Sequence, residues 1–330
     1  MQPSKLPAQK NRNQPEHPAD ATGGAEEKSM NAGARRRFLM QSGQLAAAAF
    51  ASPWLSRSVS ANPLGRPIGI QLYTVNAPME QDAPGTLKKL REIGFGVVES
   101  AGFGKLSAKQ FRQLLDDADL KCPSAHLAFD PANLGAAFDE AYALGATYAA
   151  SGSLDALVKP AKPANASSPR AMSLDEAKRT AELANRIGEA AKRAGLQYVY
   201  HNHAFEFVDQ GGGAIGYDIL LRGTDPELVK FEIDCGWMVF AGRNPIDYFA
   251  KYPNRFPVIH VKDFLRNPKH GATEMLGAEL GRGVVDYKPI FAAAAKAGLQ
   301  YYFAEQEGPF ARMNQLQAAQ VNYDYLHSLG

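Results

Sequence analysis

The chain has 330 residues, 36 Lys/Arg against 34 Asp/Glu, and 45% hydrophobic residues, enough for a sizeable core. Its first 61 residues hold 8 of the basic and 4 of the acidic side chains, so the remainder carries 28 against 30, a net charge of −2. That balance leaves no basic patch for nucleic acid and argues against polyanionic partners.

Residues 1–34 are polar and rich in Pro, Gly and Ala without an apolar period, so burial cannot offset the entropy of ordering them. Arg35-Arg36-Arg37-Phe38-Leu39 then precedes a mildly apolar, alanine-rich run from Leu45 to Leu55. A basic stretch, a short apolar stretch and small residues after it read as an export signal, and paired arginines before Phe-Leu point to the twin-arginine route. Small-x-small cleavage fits after either Ala51 or Ala61. The expectation is a leader over 1–61 that engages the twin-arginine export machinery, followed by an exported, periplasmic domain over 62–330. The leader's apolar run is far shorter than the ~18 residues that span a bilayer, and no later run is longer, so no stable membrane insertion is expected. Cys122 and Cys235 fit no metal-binding spacing and read as buried free thiols.

From residue 68 onward, β-branched and aromatic runs alternate with stretches of helical spacing. The predicted strands are Ile68–Tyr73, Gly96–Ser100, Lys121–His126, Thr147–Ser151, Gln197–His203, Val229–Asp234, Phe256–Val261 and Tyr301–Glu305. Between them, apolar residues recur at helical intervals, as in Leu183, Ile187, Ala190, Ala191 and Ala194. Ser173 and Glu176 have capping-box spacing. Ile93-Gly94, Ala194-Gly195 and Ala297-Gly298 place a glycine just past a helix and before a strand. Strict alternation implies a parallel sheet with right-handed crossovers, and eight strands favour a closed (β/α)8 TIM barrel as a single domain. No Gly-x-Gly-x-x-Gly turn follows the first strand, which argues against a dinucleotide fold. The longest stretch without periodicity, residues 152–172, reads as a substrate-covering loop or a disordered segment.

Alternate residues of a barrel strand point inward. The inward sets run Val199, His201 and His203; Glu232 and Asp234; Val258, His260 and Lys262; and Phe303 and Glu305. Glu99, His126 and either Gln71 or Tyr73 come from the first three strands. Each set is apolar at the strand's start and ionisable at its C-terminal end, where barrel enzymes carry their active sites. Four of the seven histidines, His126, His201, His203 and His260, converge there with Asp234 and Glu305. Such mixed imidazole and carboxylate donors suit Mn2+, Co2+ or Zn2+ better than an all-oxygen Mg2+ or Ca2+ cage. A metal of that kind polarises a sugar carbonyl and stabilises the charge left by an adjacent proton.

The stretches IGIQLYTV, TLKKLREIGFGVVES, CPSAHLAFD, YVYHNHAFEF, YDILL, TDPELVKFEIDCGWMV, RFPVIHVKDF, GRGVVDYKPIF and YYFAEQE span nearly all of residues 68–307. In that order they resemble the sugar phosphate isomerase/epimerase family, the xylose-isomerase-like TIM barrels. The resemblance implies metal ligands at Asp234, His260 and Glu305. Where many members read Glu-Asn-His on the fifth strand, this chain reads His201-Asn202-His203, so His201 becomes the expected fourth ligand. Whether His201 or His203 faces the metal depends on register.

Catalytic roles are expected for Glu305, His201 and Lys262, the last as an acid or electrostatic clamp unless it simply pairs with Asp263 or Glu232. Sugar contacts are expected from Glu99, His126, His203 and Trp237, with Phe129 and Phe205 as further stacking candidates. Export and the lack of a Gly-rich phosphate loop favour an unphosphorylated carbohydrate. The leading expectation is a metal-dependent isomerase or epimerase acting beside a carbonyl. A lyase of 3-keto-glycosides is the alternative, and a non-catalytic periplasmic sugar-binding protein is the third; assembly as a homo-oligomer is compatible with each.

Overall fold

Short apolar runs become strands here because their alternate side chains have two surfaces to fill, the barrel lumen and the helix layer. A computed structural model describes residues 62, 64–152, 154, 171–266 and 275–330. In it the strands are β1 (Gly69–Gln71), β2 (Val97–Ala101), β3 (Lys121–His126), β4 (Tyr148–Ser151), β5 (Gln197–His201), β6 (Val229–Asp234), β7 (Val258–Val261), β8 (Asp263–Arg266), β9 (Met275–Ala278) and β10 (Tyr301–Ala304). Strands β1–β7 and β10 form a closed parallel barrel in which β10 sits between β7 and β1, while β8 and β9 form a separate antiparallel pair. This is the predicted (β/α)8 architecture. The expected leader over 1–61 and most of the expected 152–172 loop lie outside the described residues. No helix among the described residues is long and apolar enough to cross a membrane.

Two apolar clusters divide the interior. Val97, Tyr148, Ala150, Val199, Val258 and Phe303 form a small inner cluster within the barrel. The larger cluster joins outward residues such as Ile70, Val98, Tyr198, Phe231, Ile259 and Tyr302 to the helices. Two residues beyond Val97, Val199, Val258 and Phe303 come Glu99, His201, His260 and Glu305. The period of two therefore sets an ionisable layer on top of an apolar floor. Cys122 and Cys235 are buried free thiols, as expected, and burial pushes the Cys122 thiol up to about 12.

The helix Leu174–Arg193 shows how the outer layer is built. Ser173 and Glu176 form the predicted capping box, satisfying backbone donors at the helix start. Ala177, Ala181, Ala184, Ile187, Gly188 and Ala191 make its buried face. Gly195, at φ +76°, then reverses the chain into β5. Gly188 lies against the Leu228 carbonyl, which a Cβ would strike. Gly188→Ala should therefore destabilise the fold by about 1–3 kcal/mol through overpacking, although alanine is the better helix former by up to ~1 kcal/mol. Thermal denaturation of the variant checks the sign, and a raised melting temperature would refute the packing argument.

Several strand limits differ from the expectation. β1 ends at Gln71, and Leu72–Val75 is a 3-10 turn that leaves Tyr73 49% exposed while Gln71 is buried. The register choice thus falls on Gln71. β5 stops at His201 rather than His203 because the Asn202 side chain replaces the backbone ladder. Its Oδ1 accepts from the Asp234 N–H at 3.1 Å and its Nδ2 donates to the Asp234 carbonyl at 3.3 Å. β7 begins at Val258, two residues later than predicted. The β8–β9 ribbon was not anticipated from the sequence.

Candidate active site

The ionisable layer has two levels. The deeper one centres on Glu99 and Glu232, both fully buried. Glu99 Oε1 accepts from Ser124 Oγ at 2.5 Å, and its Oε2 lies 2.9 Å from Gln71 Nε2 and 2.6 Å from His260 Nε2. Glu232 Oε2 lies 2.7 Å from His126 Nε2 and 3.3 Å from His201 Nδ1, and its Oε1 is 3.3 Å from His260 Nε2. Burial works to raise the Glu99 pKa, but His126 and His260 outweigh it and hold the carboxyl well below the usual range. Burial and repulsion from Glu99 raise the Glu232 pKa. Burial disfavours a charged His126, yet Glu99 and Glu232 drive it up to about 10.

The upper level is organised by Lys262. This lysine is buried, and its Nζ lies 2.6 Å from Glu307 Oε1, 2.9 Å from Glu305 Oε2 and 3.2 Å from Asp234 Oδ2. Burial opposes its charge, but these three carboxylates raise its pKa further. The Tyr287 hydroxyl accepts from the Lys262 N–H and donates to its carbonyl, both at 2.7 Å, which fixes the backbone where β7 ends. Asp234 caps the helix Cys235–Phe240 by accepting from the Trp237 N–H at 2.8 Å. Burial, offset by Lys262, raises the Asp234 carboxyl to about 6. Glu305 Oε2 also meets His260 Nδ1 at 2.9 Å. Burial would raise the Glu305 pKa, but Lys262 and His260 hold it well below the usual range.

Above these levels opens a cleft of about 520 Å³, lined by Tyr73, His126, His201, His203, Glu305 and Glu307 among others. His126, His201, His203 and Glu305 thus converge as their spacing implied. Glu99 does not line the cleft: it is fully buried against His126 and His260. Trp237 also lies off the cleft lining. Its ring packs 4.9 Å from Phe264 and 5.5 Å from Phe240, and it carries the Lys262 ammonium 4.9 Å from its centroid. Phe129 is buried against Phe138 and Tyr198, and Phe205 stacks on His203. Lys262 pairs with neither Asp263 nor Glu232. Asp263 instead accepts backbone N–H groups from Phe264, Gly281, Gly283 and Val285, pinning the segment after β9.

Glu232, Gln71, Ser124 and Glu307 complete the cluster but were not singled out as site residues. Glu232 had a signal, since it shares Asp234's inward face. Glu307 had none, because it lies past the end of β10.

His203 offers a pH test. Burial, reinforced by Lys262, lowers its pKa from 6.5 to about 4. A lowered folded-state pKa contributes stability that is present above the unfolded value and lost as pH falls through the folded value. Melting curves of His203→Gln should therefore decline less steeply than wild type between about pH 6.5 and 4. Parallel declines would show that His203 is not held neutral.

The donors fit a divalent cation. Two groups, His126–His201–Glu232–His260 and His201–Asp234–His260–Glu305, each present one donor atom per residue, all within 4.8 Å of one another. His201 Nδ1 and Glu232 Oε1 are buried without a hydrogen-bond partner, an arrangement that costs free energy unless a further group satisfies it, while Asp234 Oδ2 meets Lys262 only as an ion pair at 3.2 Å.

A closed parallel barrel with imidazoles and carboxylates at its strand ends defines a class of α/β-barrel proteins with a metal-type centre. Within that class the chain belongs to the xylose isomerase-like TIM barrel family, whose pattern matches residues 87–320. An inosose dehydratase from Lacticaseibacillus casei is 30% identical over 168 residues, 46% of this chain and 54% of that protein. The chain thus spans about half the length of the curated relatives it matches. Among solved structures, a sugar phosphate isomerase/epimerase from Parabacteroides distasonis superposes with a TM-score of 0.64 at 27% identity, covering 79% of this chain and 93% of that one. A xylose isomerase-like TIM barrel protein from Mycobacterium smegmatis in complex with magnesium shares the fold at a TM-score of 0.59 and 19% identity, covering 82% of this chain and 98% of that one.

Proposed function

We propose that the chain is a metal-dependent lyase acting on an unphosphorylated keto-sugar, keto-cyclitol or keto-glycoside, removing a proton beside the carbonyl and expelling the group on the next carbon. The observation that carries this reading is the fifth-strand substitution. His201 stands where a second carboxylate would serve two-faced proton transfer, and it belongs to both donor sets. Elimination needs one base on carbon and one acid for the leaving oxygen. The dehydratase relatives support that choice.

Both polar contacts of Glu305 fall on Oε2, so Oε1 is assigned as the base. It takes the proton, the C–H electron pair forms the new C=C bond, and the C–O bond to the leaving group breaks. The departing oxygen takes its proton from water in the open cleft. Lys262 holds Glu305 ionised and in place. A divalent ion held by His201 and His260, the residues common to both donor sets, would stabilise negative charge developing on the carbonyl oxygen. With residues 1–61 read as a twin-arginine leader, the proposed enzyme would act in the periplasm, on substrates without phosphate.

Isomerisation or epimerisation is the second reading, favoured by the likeness to the Parabacteroides structure. Incubating the metal-loaded chain with 3-keto-glycosides and their unoxidised parents in D2O separates the two. Aglycone release from the oxidised form alone supports the lyase. Deuterium incorporation without release establishes the second reading instead.

A further inference from the structure

Charge is unevenly supplied to the two levels of the site. Asp234 and Glu305 share the Lys262 ammonium, which already occupies the space between them at 3.2 and 2.9 Å. Among the described residues, no lysine or arginine pairs with Glu99 or Glu232, although both are fully buried. Glu99 has neutral donors in Ser124 and Gln71 beside its imidazoles and Glu232 has imidazoles alone, so a bound divalent ion would supply the positive charge that imidazole protonation must otherwise provide. The same level holds two of the unsatisfied buried atoms, Glu232 Oε1 and His201 Nδ1, the latter 3.3 Å from Glu232 Oε2.

We infer that the divalent ion sits deeper than the family resemblance implies, held by His126, His201, Glu232 and His260, with Asp234 and Glu305 left to Lys262 and the substrate. This rests on the reading that the chain binds a divalent metal. Three imidazoles and one carboxylate make a donor set suited to Zn2+ or Co2+. A metal in the upper set would instead have to sit beside a buried ammonium, with like charges repelling. The deeper seat also resolves a conflict of roles, because Glu305 is then free to act as a base. Glu99, against both His260 and His126, orients two of the ligands in the manner of carboxylates that support metal-bound histidines.

X-ray absorption on the zinc-loaded full-length chain counts the ligands without any substitution. The deeper set gives three imidazoles and the upper set two. Zinc binding by variants provides the second measurement, with circular dichroism confirming that each is folded. Glu232→Gln and His126→Ala should weaken zinc binding by more than about 100-fold, beyond the ~10–100-fold typical of supporting residues. Asp234→Asn and Glu305→Gln should stay within about 10-fold of wild type. Two imidazoles, or zinc lost from Asp234→Asn and kept by Glu232→Gln, would overturn the deeper site while preserving the metal reading. A wild-type chain that binds no zinc, cobalt or manganese would overturn both.

Discussion

Glu305→Gln is expected to lower kcat by about 10²–10⁴-fold, the usual contribution of a positioned base, with the protein still folded. The substitution conserves volume, and the amide oxygen can still accept from His260 Nδ1 and Lys262 Nζ, the two groups that now meet Glu305 Oε2 at 2.9 Å. Lys262 retains Asp234 and Glu307 as charged partners. What disappears is the lone pair able to take a proton from carbon. Initial rates on the oxidised glycoside, paired with a melting curve, separate this from a folding defect. Unchanged turnover would remove Glu305 from the mechanism. A wild-type chain that binds the sugar but turns over none of the keto-sugars would favour the non-catalytic binding protein instead.

Lys262→Met should carry the larger cost in stability. Methionine fills much of the same space against Trp237 but leaves Asp234, Glu305 and Glu307 facing one another without the ammonium. Breaking a buried pair by removing one partner costs about 3–5 kcal/mol, which for a domain of this size corresponds to roughly 6–20 °C in Tm. Glu307 is partly exposed, so water screens one of the three charges and the low end is expected. The defect should shrink with acid. Asp234, already raised to about 6 in the wild type against the lowering effect of Lys262, takes up a proton more readily once that ammonium is gone, so acid relieves the repulsion. Calorimetry at pH 8 and pH 5 tests this, and a loss of stability equal at both would show that charge is not the cause.

The legible and illegible parts of the site divide along physical lines. His201 and His260 could be placed at an inward strand end because Val199 and Val258, two residues earlier, are committed to the apolar floor. Asp234 and Glu305 followed from the same alternation. Glu99 was correctly read as inward, but whether its carboxylate reaches substrate depends on what lies above it, and His126 and His260 do. The setting of Trp237 likewise depends on its tertiary neighbours. Its position just past β6 suggested a sugar platform, whereas the short helix Cys235–Phe240 turns the ring onto Phe264 and under Lys262. The end of β5 could not be read at all, since the ladder stops where one asparagine side chain substitutes for backbone.

The amino-acid sequence by itself determined the alternating strand and helix plan, the closure expected of eight parallel strands, and the stacking of an ionisable layer on an apolar one. These depend on periods of 2 and 3.6 residues, which are local properties of a chain. Only the tertiary structure decided which charges meet. Glu232 reaches His126 across 106 positions of sequence, Glu99 reaches His260 across 161, and Lys262 reaches Glu307 across 45. Those meetings are set by the stagger between strands on closure and by the rotamers that the filled lumen permits. Neither quantity is written in the spacing of residues along any one strand.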